Sequence, residues 1–285
     1  MQNIIEFRNS KDRINWRDLA IIVVCHLLAI PAFFYFSWQN VAVMLIGNWI
    51  VGSLGVGLGY HRLLTHRSFK APKWLEYTLT IFASMSLQNE AYKWVATHRM
   101  HHQFTETDKD PHSTKPGFWW AHMGWIIKGT AQDHDEATFK KYVPDLLKDK
   151  GQVLIAKFFY LPIIISAAIL YALGGWGFVF WGVFVRLVFG WHTTWFVNSA
   201  AHYWGKRRFE TTDDSTNNWW VAILTFGEGW HNNHHAHPTS ARHGFKWYEF
   251  DQNWLTIQIF KKLGWAENIR IYETEKSAVE FKKAA

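Results

Sequence analysis

Cysteine is almost absent from this chain of 285 residues: Cys25 stands alone, inside an apolar run. A disulfide framework and a thiolate metal site are therefore both excluded. No internal repeat or low-complexity segment is present. The opening stretch MQNIIEFRNSKDRINWRD lacks the short basic start, apolar run and small-residue cleavage site of a signal peptide, so the first apolar run is expected to be retained. From Leu19 to Tyr60 there is no lysine or arginine at all. A run of that length without charge belongs in hydrocarbon, where each helical crossing takes about 20 residues.

What is present in quantity is apolar and aromatic. Hydrophobic residues make up 49% of the chain and 19 are tryptophan, well above ordinary usage. Two long apolar regions divide at SWQN (37–40) and GGWG (174–177), which predicts four spans near 19–36, 41–59, 153–173 and 176–198. Trp38, Trp176, Trp195 and Trp204 fall near their ends, as interfacial aromatics do. Arg8, Lys11, Arg13 and Arg17 precede the first span, and most other basic residues lie in 61–150 and the C-terminal third. The positive-inside rule then makes both termini and the middle segment cytoplasmic. The expected architecture is an all-α membrane protein, a single domain over 1–285, with a cytoplasmic cap from 61–150 and 199–265 and a peripheral tail at 266–285. Arg186 is the exception, a charge inside the fourth span that must face protein or water. The net charge of +7 by itself fits nucleic acid, anionic lipid or an acidic protein partner, and nucleic acid is not among the partners expected here.

Histidine is the other abundance. HRLLTH gives His61 and His66, HRMHH gives His98, His101 and His102, and NSAAH ends on His202. HNNHHAH supplies His231, His234 and His235, with His237 behind them. All lie on the cytoplasmic side or at its membrane boundary. Residues three and four apart share a helix face, so each cluster can aim its rings together, and Asn198 lies one turn before His202. Nine imidazoles are too many for one metal ion and about right for two, and neutral imidazole suits zinc, copper, iron and nickel alike. Glu106, Asp110 and Glu228 are candidates to accept the second ring N–H of a ligand. His26 and His192, inside spans, read as packing or hydrogen-bonding residues; His112, His122, His134, His237 and His243 read as supporting or surface residues.

The stretches GYHRLLTHRSFK, WVATHRMHHQFTETDKDPH, GFWWAHMGW, WFVNSAAHYWG and GEGWHNNHHAHP, in this order, resemble the membrane fatty-acyl desaturases. The branch is the delta-9, stearoyl-CoA desaturase-like one in its short bacterial form, and the resemblance runs from about residue 20 to 265. It implies four transmembrane helices under a cytoplasmic helical cap, in a bacterial inner membrane, holding a di-iron centre. The nine histidines match the iron ligands and Asn198 a position reaching one iron through water. The implied reaction takes a saturated acyl chain, dioxygen and two electrons to a cis double bond and water. Gln88, Trp94 and Thr194 match the bend of the acyl tunnel, Asn89 and Trp195 head-group positions, and Trp49 and Ser53 the far end. By that match Trp49→Ala is expected to admit longer chains.

Two departures bear on the acyl carrier. Ala96 stands where an arginine is expected, and Gly129 and Thr130 where a basic pair is expected. Both changes weaken recognition of CoA and raise acyl-lipid and acyl carrier protein as substrates beside acyl-CoA. The 20 residues after Trp265 cannot hold a haem or flavin fold, so electrons are expected from a separate ferredoxin or b5-type protein with its reductase. A related histidine-box oxygenase, acting as an acyl or alkane hydroxylase or a decarboxylase making terminal alkenes, would share the metal ligands. A membrane metal transporter would place its ligands at mid-membrane, whereas only His26, His192 and Arg186 lie at that depth.

Overall fold

The computed structural model describes residues 13–129 and 131–272. Arg8, Lys11, Thr130 and positions 273–285 of the expected tail lie outside the described residues. Among the described residues there are helices and isolated bridges but no strands.

Helix α1 (Trp16–Ala29) starts where the Asn15 side chain accepts from the Asp18 N–H, and continues as a 3₁₀ turn over Ile30–Tyr35. Ser37 is extended and caps α2 (Trp38–Asn48), its hydroxyl accepting from Asn40 N–H at 3.1 Å. Beyond α2 the helix does not stop: Trp49–Thr65 continues with i→i+5 hydrogen bonding. Helix α3 (Lys73–Ser84) lies against that stretch, and α4 (Ala91–Phe104) follows a tight loop. Short helices Glu136–Tyr142, Pro144–Lys148 and Lys150–Lys157 lead to α5 (Leu161–Val179), which runs through Phe180–Val185 into α6 (Arg186–Asn198). Helices α7 (His231–Ala236) and α8 (Gln252–Lys262) complete the described chain.

Among the described residues three helical runs are long and apolar enough to cross a membrane: Trp16–Tyr35, Trp38–Thr65 and Leu161–Tyr203. The third has 43 residues and is broken at Gly174–Gly175, where Gly175 adopts φ 62°. That left-handed geometry favours glycine and ends a regular helix. The run starts at Leu161 rather than near 153, because the turn at Phe158–Tyr160 separates it from Lys150–Lys157 and Pro162 sits in its first turn. Its outer face, with Ile164, Ile169 and Leu173, and the Phe33–Phe34 tip of the first run are exposed. A contiguous apolar exterior of this kind is solvated by lipid rather than water.

The apolar residues that are buried join these runs in two places. Ile22 and Cys25 of α1 pack with Val179, Val183, Leu187, Trp191 and Trp195. Leu58 and Leu63 pack with Leu75, Leu79, Ile257 and Phe260, which ties the second run to α3 and α8. The contact of the second run with α3 is a backbone approach: a Cβ on Gly55 would stand 2.5 Å from the Ala83 nitrogen. Gly55→Ala is accordingly expected to destabilise the protein by about 1–3 kcal/mol or more, read as a lowered thermal midpoint in detergent.

Candidate metal centre

The i→i+5 winding of Trp49–Thr65 decides where the first two histidines point. In an α-helix, residues five apart diverge by about 140°. Here the His66 N–H bonds the His61 carbonyl at 3.1 Å, and the rings stand 4.8 Å apart. Such windings recur at functional sites.

The clusters on α4 and α7 behave differently from the expectation that each aims at one point. Neighbouring positions on a helix diverge by about 100°, so each cluster straddles two centres. His98 and His102 turn one way and His101 the other; His234 turns one way, His231 and His235 the other. The result is two sets, His61, His66, His98, His102 and His234, and His101, His202, His231 and His235, with the candidate ligand atoms of each within 4.8 Å of one another. In the first set Nε2 atoms stand 3.1 Å apart for His61 and His234, 3.0 Å for His234 and His102, and 3.1 Å for His102 and His98. In the second, His231 and His202 are 3.1 Å apart and His101 and His235 3.4 Å. The sets adjoin, with the His102 and His235 ring centroids 4.8 Å apart.

Carboxylates stand beside four of the outer ring nitrogens. Glu228 lies 2.8 Å from His61 Nδ1, Asp110 2.9 Å from His101 Nδ1, Glu106 3.3 Å from His202 Nδ1 and Asp213 2.9 Å from His235 Nδ1. Asp213 carries no motif and sequence reasoning missed it. His243, read from the sequence as supporting or surface, is buried with its Nδ1 3.0 Å from Glu228. His112 is buried against the His101 ring, at 4.1 Å between centroids. His237 belongs to neither set and stacks on Tyr272 at 3.6 Å. His26 and His192 bond each other through Nε2 at 3.2 Å, and His192 bonds His122 at 3.0 Å, away from both sets.

Glu228 is the hub of a larger network. It accepts from Arg62 Nε at 3.0 Å and Asn253 Nδ2 at 2.6 Å as well as meeting His61. Arg62, fully buried, also donates to both oxygens of Asp251, at 2.9 and 3.2 Å.

Burial pushes the imidazoles of His66, His98, His102, His231 and His234 well below their ordinary range, and the neighbouring rings push the same way. Burial takes His235 down to about 4 against the pull of Asp213. These rings are neutral at neutral pH, the form that offers a lone pair to a cation. Burial lowers His101 too, but Asp110 outweighs it and the net direction is up. Burial alone would raise Glu228; Arg62, with His243 and His61, holds it well below the carboxylate range.

Converging ring nitrogens, six of them on rings that burial keeps neutral, with carboxylates beside four outer nitrogens, are what a cation centre requires. Two nitrogens each about 2.1 Å from a shared ion and at right angles stand about 3.0 Å apart, which matches the separations above. The buried Nε2 of His66 also has no hydrogen-bond partner among the described residues. The residues fit a pair of metal ions.

A cavity reaches this centre. Its walls include His61, His98, His231, Glu228 and Asn198 at the histidine end, and Gln88, Asn89, Trp94, Thr194 and Trp195 beside them. Gln88 bridges the cavity wall: its Nε2 donates to Thr194 Oγ1 at 3.2 Å and its Oε1 accepts from Trp94 Nε1 at 3.3 Å. Trp94 stacks on His98 at 5.0 Å, so this brace abuts the first histidine set directly. Asn89 holds φ 72° in the loop before α4, its carbonyl accepting from Tyr60. Trp49 and Ser53 do not line the cavity: Trp49 is partly exposed, and Ser53 is buried on a 2.6 Å bond to Asn253.

Apolar runs of membrane length, two adjoining all-histidine sets able to hold metal and a cavity that reaches them define the class of the histidine-box membrane proteins. The fatty acid desaturase profile matches residues 36–266, and the chain belongs to that family. It is 45% identical over 263 residues to the sn-2 palmitoyl-lipid 9-desaturase of Nostoc sp. (strain 36), covering 92% of each chain. It is 47% identical over 266 residues to the sn-1 stearoyl-lipid 9-desaturase of Anabaena variabilis, covering 92% of this chain and 96% of the other. The chloroplastic palmitoyl-monogalactosyldiacylglycerol delta-7 desaturase of Arabidopsis thaliana is 42% identical over 282 residues, covering 98% of this chain and 76% of that one. The protein is accordingly an acyl desaturase, an oxidoreductase.

Proposed function

We propose that the protein introduces a cis double bond at C9–C10 of a saturated long-chain acyl group carried by a membrane lipid. The overall balance is one acyl chain, one dioxygen, two electrons and two protons giving the alkene and two waters. The observation that carries this reading is the cavity braced by Trp94, Gln88 and Thr194 and opening on His61, His98, His231 and Asn198. Unactivated methylene C–H bonds resist acid–base chemistry, and a redox-active metal pair supplies the dioxygen chemistry. On this reading each histidine set holds one iron and Asn198 reaches one of them through water. The protein's own part is to seat one C–C bond beside the histidines and to keep water out.

Lipid as the carrier is supported from two sides. Ala96 is fully buried in a cluster with Tyr60, Leu64 and Val95 and offers no charge to a phosphate. The cavity is also lined by Arg17 and Asp18 at the start of α1 and by Phe159 and Tyr160 just before α5. Those positions mark the starts of two apolar runs, the level at which a lipid head group would lie. Asn89 and Trp195, on the same wall, would meet the carbonyl end of the chain. The third run, divided at Gly174–Gly175, supplies two crossings, which makes four spans with the histidines on the cytoplasmic side. Electrons then come from a separate ferredoxin or b5-type protein, whose acidic surface complements a basic cap.

Expression in membranes with a reducing system, followed by location of new double bonds, tests this. Monounsaturated chains at C9–C10 on membrane lipids are expected; hydroxylated chains or terminal alkenes would replace the reading with the oxygenase one. Within it, Gln88→Leu removes the brace between Trp94 and Thr194. The expected result is roughly a tenfold fall in turnover with double bonds spread over neighbouring positions.

A further inference from the structure

The cavity follows one face of each of two helices. Asn48, Val51, Gly52, Val56, Gly57 and His61 line it from the second run; from α6 its walls run from Arg186 to Asn198. Twelve residues of α-helix carry it about 18 Å from the histidine end. At that depth two polar residues, Asn48 and Arg186, only 5% and 4% exposed, interrupt an otherwise apolar wall that includes Val51, Leu87 and Leu187.

Both polar groups are held in place and left open toward the cavity. Arg186 spends Nε on the Gly182 carbonyl at 2.9 Å and Nη2 on the Met85 carbonyl at 3.0 Å. Its Nη1 has no partner among the described residues, and no carboxylate there pairs with it. The Arg186 stem crosses Gly47, 3.1 Å from where a Cβ would stand. The next residue, Asn48, places its Oδ1 over Gly190 and Gly52, at 3.3 and 3.5 Å from their Cβ positions. Its amide makes no hydrogen bond to a described residue.

We propose that Asn48 and Arg186 form the polar end-stop that sets acyl chain length. This rests on the desaturase reading. A methyl end pressed against an open guanidinium edge and an unpaired amide strips water from both and returns no hydrogen bond, a penalty for any chain long enough to reach them. Shorter chains leave the end wet and forfeit apolar contact, so the best substrate ends just short of the pair.

The test offers saturated chains of graded length to membranes holding wild-type protein, Arg186→Met, Asn48→Phe and Trp49→Ala, and reads the lengths of the monounsaturated products. Arg186→Met keeps the reach of the side chain and removes its charge. It is expected to raise the ratio of product two carbons longer than the wild-type optimum about tenfold, the scale of discrimination one methylene allows. Asn48→Phe fills the end and moves the ratio about as far toward shorter chains. The double bond stays at the same carbon in both. Should Arg186→Met fail to accumulate for want of its bonds to Gly182 and Met85, Asn48→Phe decides alone. Unchanged lengths in Asn48→Phe, or a shift confined to Trp49→Ala, would overturn the proposal. Wild-type membranes that make no monounsaturated chain would instead overturn the desaturase reading itself.

Discussion

Glu228→Leu is expected to weaken metal retention by the first histidine set and to lower the stability of the whole chain. The carboxylate serves three donors at once: His61 Nδ1, Arg62 Nε and Asn253 Nδ2. Without it the His61 ring loses the partner that fixes its orientation, an effect that costs about 10–100-fold in affinity or activity at other metal sites. Arg62 keeps only Asp251 and the Ala241 carbonyl, and breaking one arm of a buried ion pair typically costs about 3–5 kcal/mol. Iron per chain and the thermal midpoint should fall together. Glu228→Gln separates the two effects: the shape and the bond from Asn253 survive, the charge does not. It should therefore lose affinity for metal with a smaller fall in midpoint. Wild-type iron content in Glu228→Leu would show that His61 is not a ligand.

The second large effect concerns two adjacent residues. His234→Ala and His235→Ala are each expected to reduce desaturation by more than the roughly 100-fold that losing a supporting carboxylate can cost. They do so from different sets: His234 stands among His61, His66, His98 and His102, His235 among His101, His202 and His231. The expected residue in each variant is about one iron per chain of the pair, with the spectroscopic signature of a different half remaining. His237→Ala, two positions on and stacked on Tyr272, should stay within about twofold of the parent, a surface-type change. If His234→Ala and His235→Ala strip the same ion, the division into two sets is wrong.

Much of this centre could be read from the sequence, and the part that could not has identifiable causes. Spacing singled out the histidine clusters, and the motif order supplied their common purpose. The division between sets was hidden because i, i+3 and i+4 positions count as one face in a helical wheel, while the rings of His101 and His102 diverge enough to serve different centres. H-x4-H made no sense on an α-helix; it needed the i→i+5 winding that glycines at 55, 57 and 59, packed against α3 or Asn253, accompany. Asp213 stands 22 residues from His235 with nothing in its surroundings to mark it. Arg62 sits inside a recognised motif, yet its partners are fixed only by tertiary contact. The span boundaries show the same limit: hydropathy sees 153–173 as continuous, while the chain turns at Phe158–Tyr160.

The Arg62 network also puts a clock on the making of the protein. Asp251 lies 189 residues after Arg62, and Glu228 lies 166 after it. At about 5–20 residues per second of synthesis, the guanidinium waits on the order of 10–40 s for its last carboxylate. Throughout that interval the second apolar run has emerged with an unneutralised charge beside His61. Arg62 and His61 therefore gain their last partners only when the C-terminal segment has been delivered. A ribosome stalled before residue 251 would hold a chain in the membrane whose first histidine set is still open.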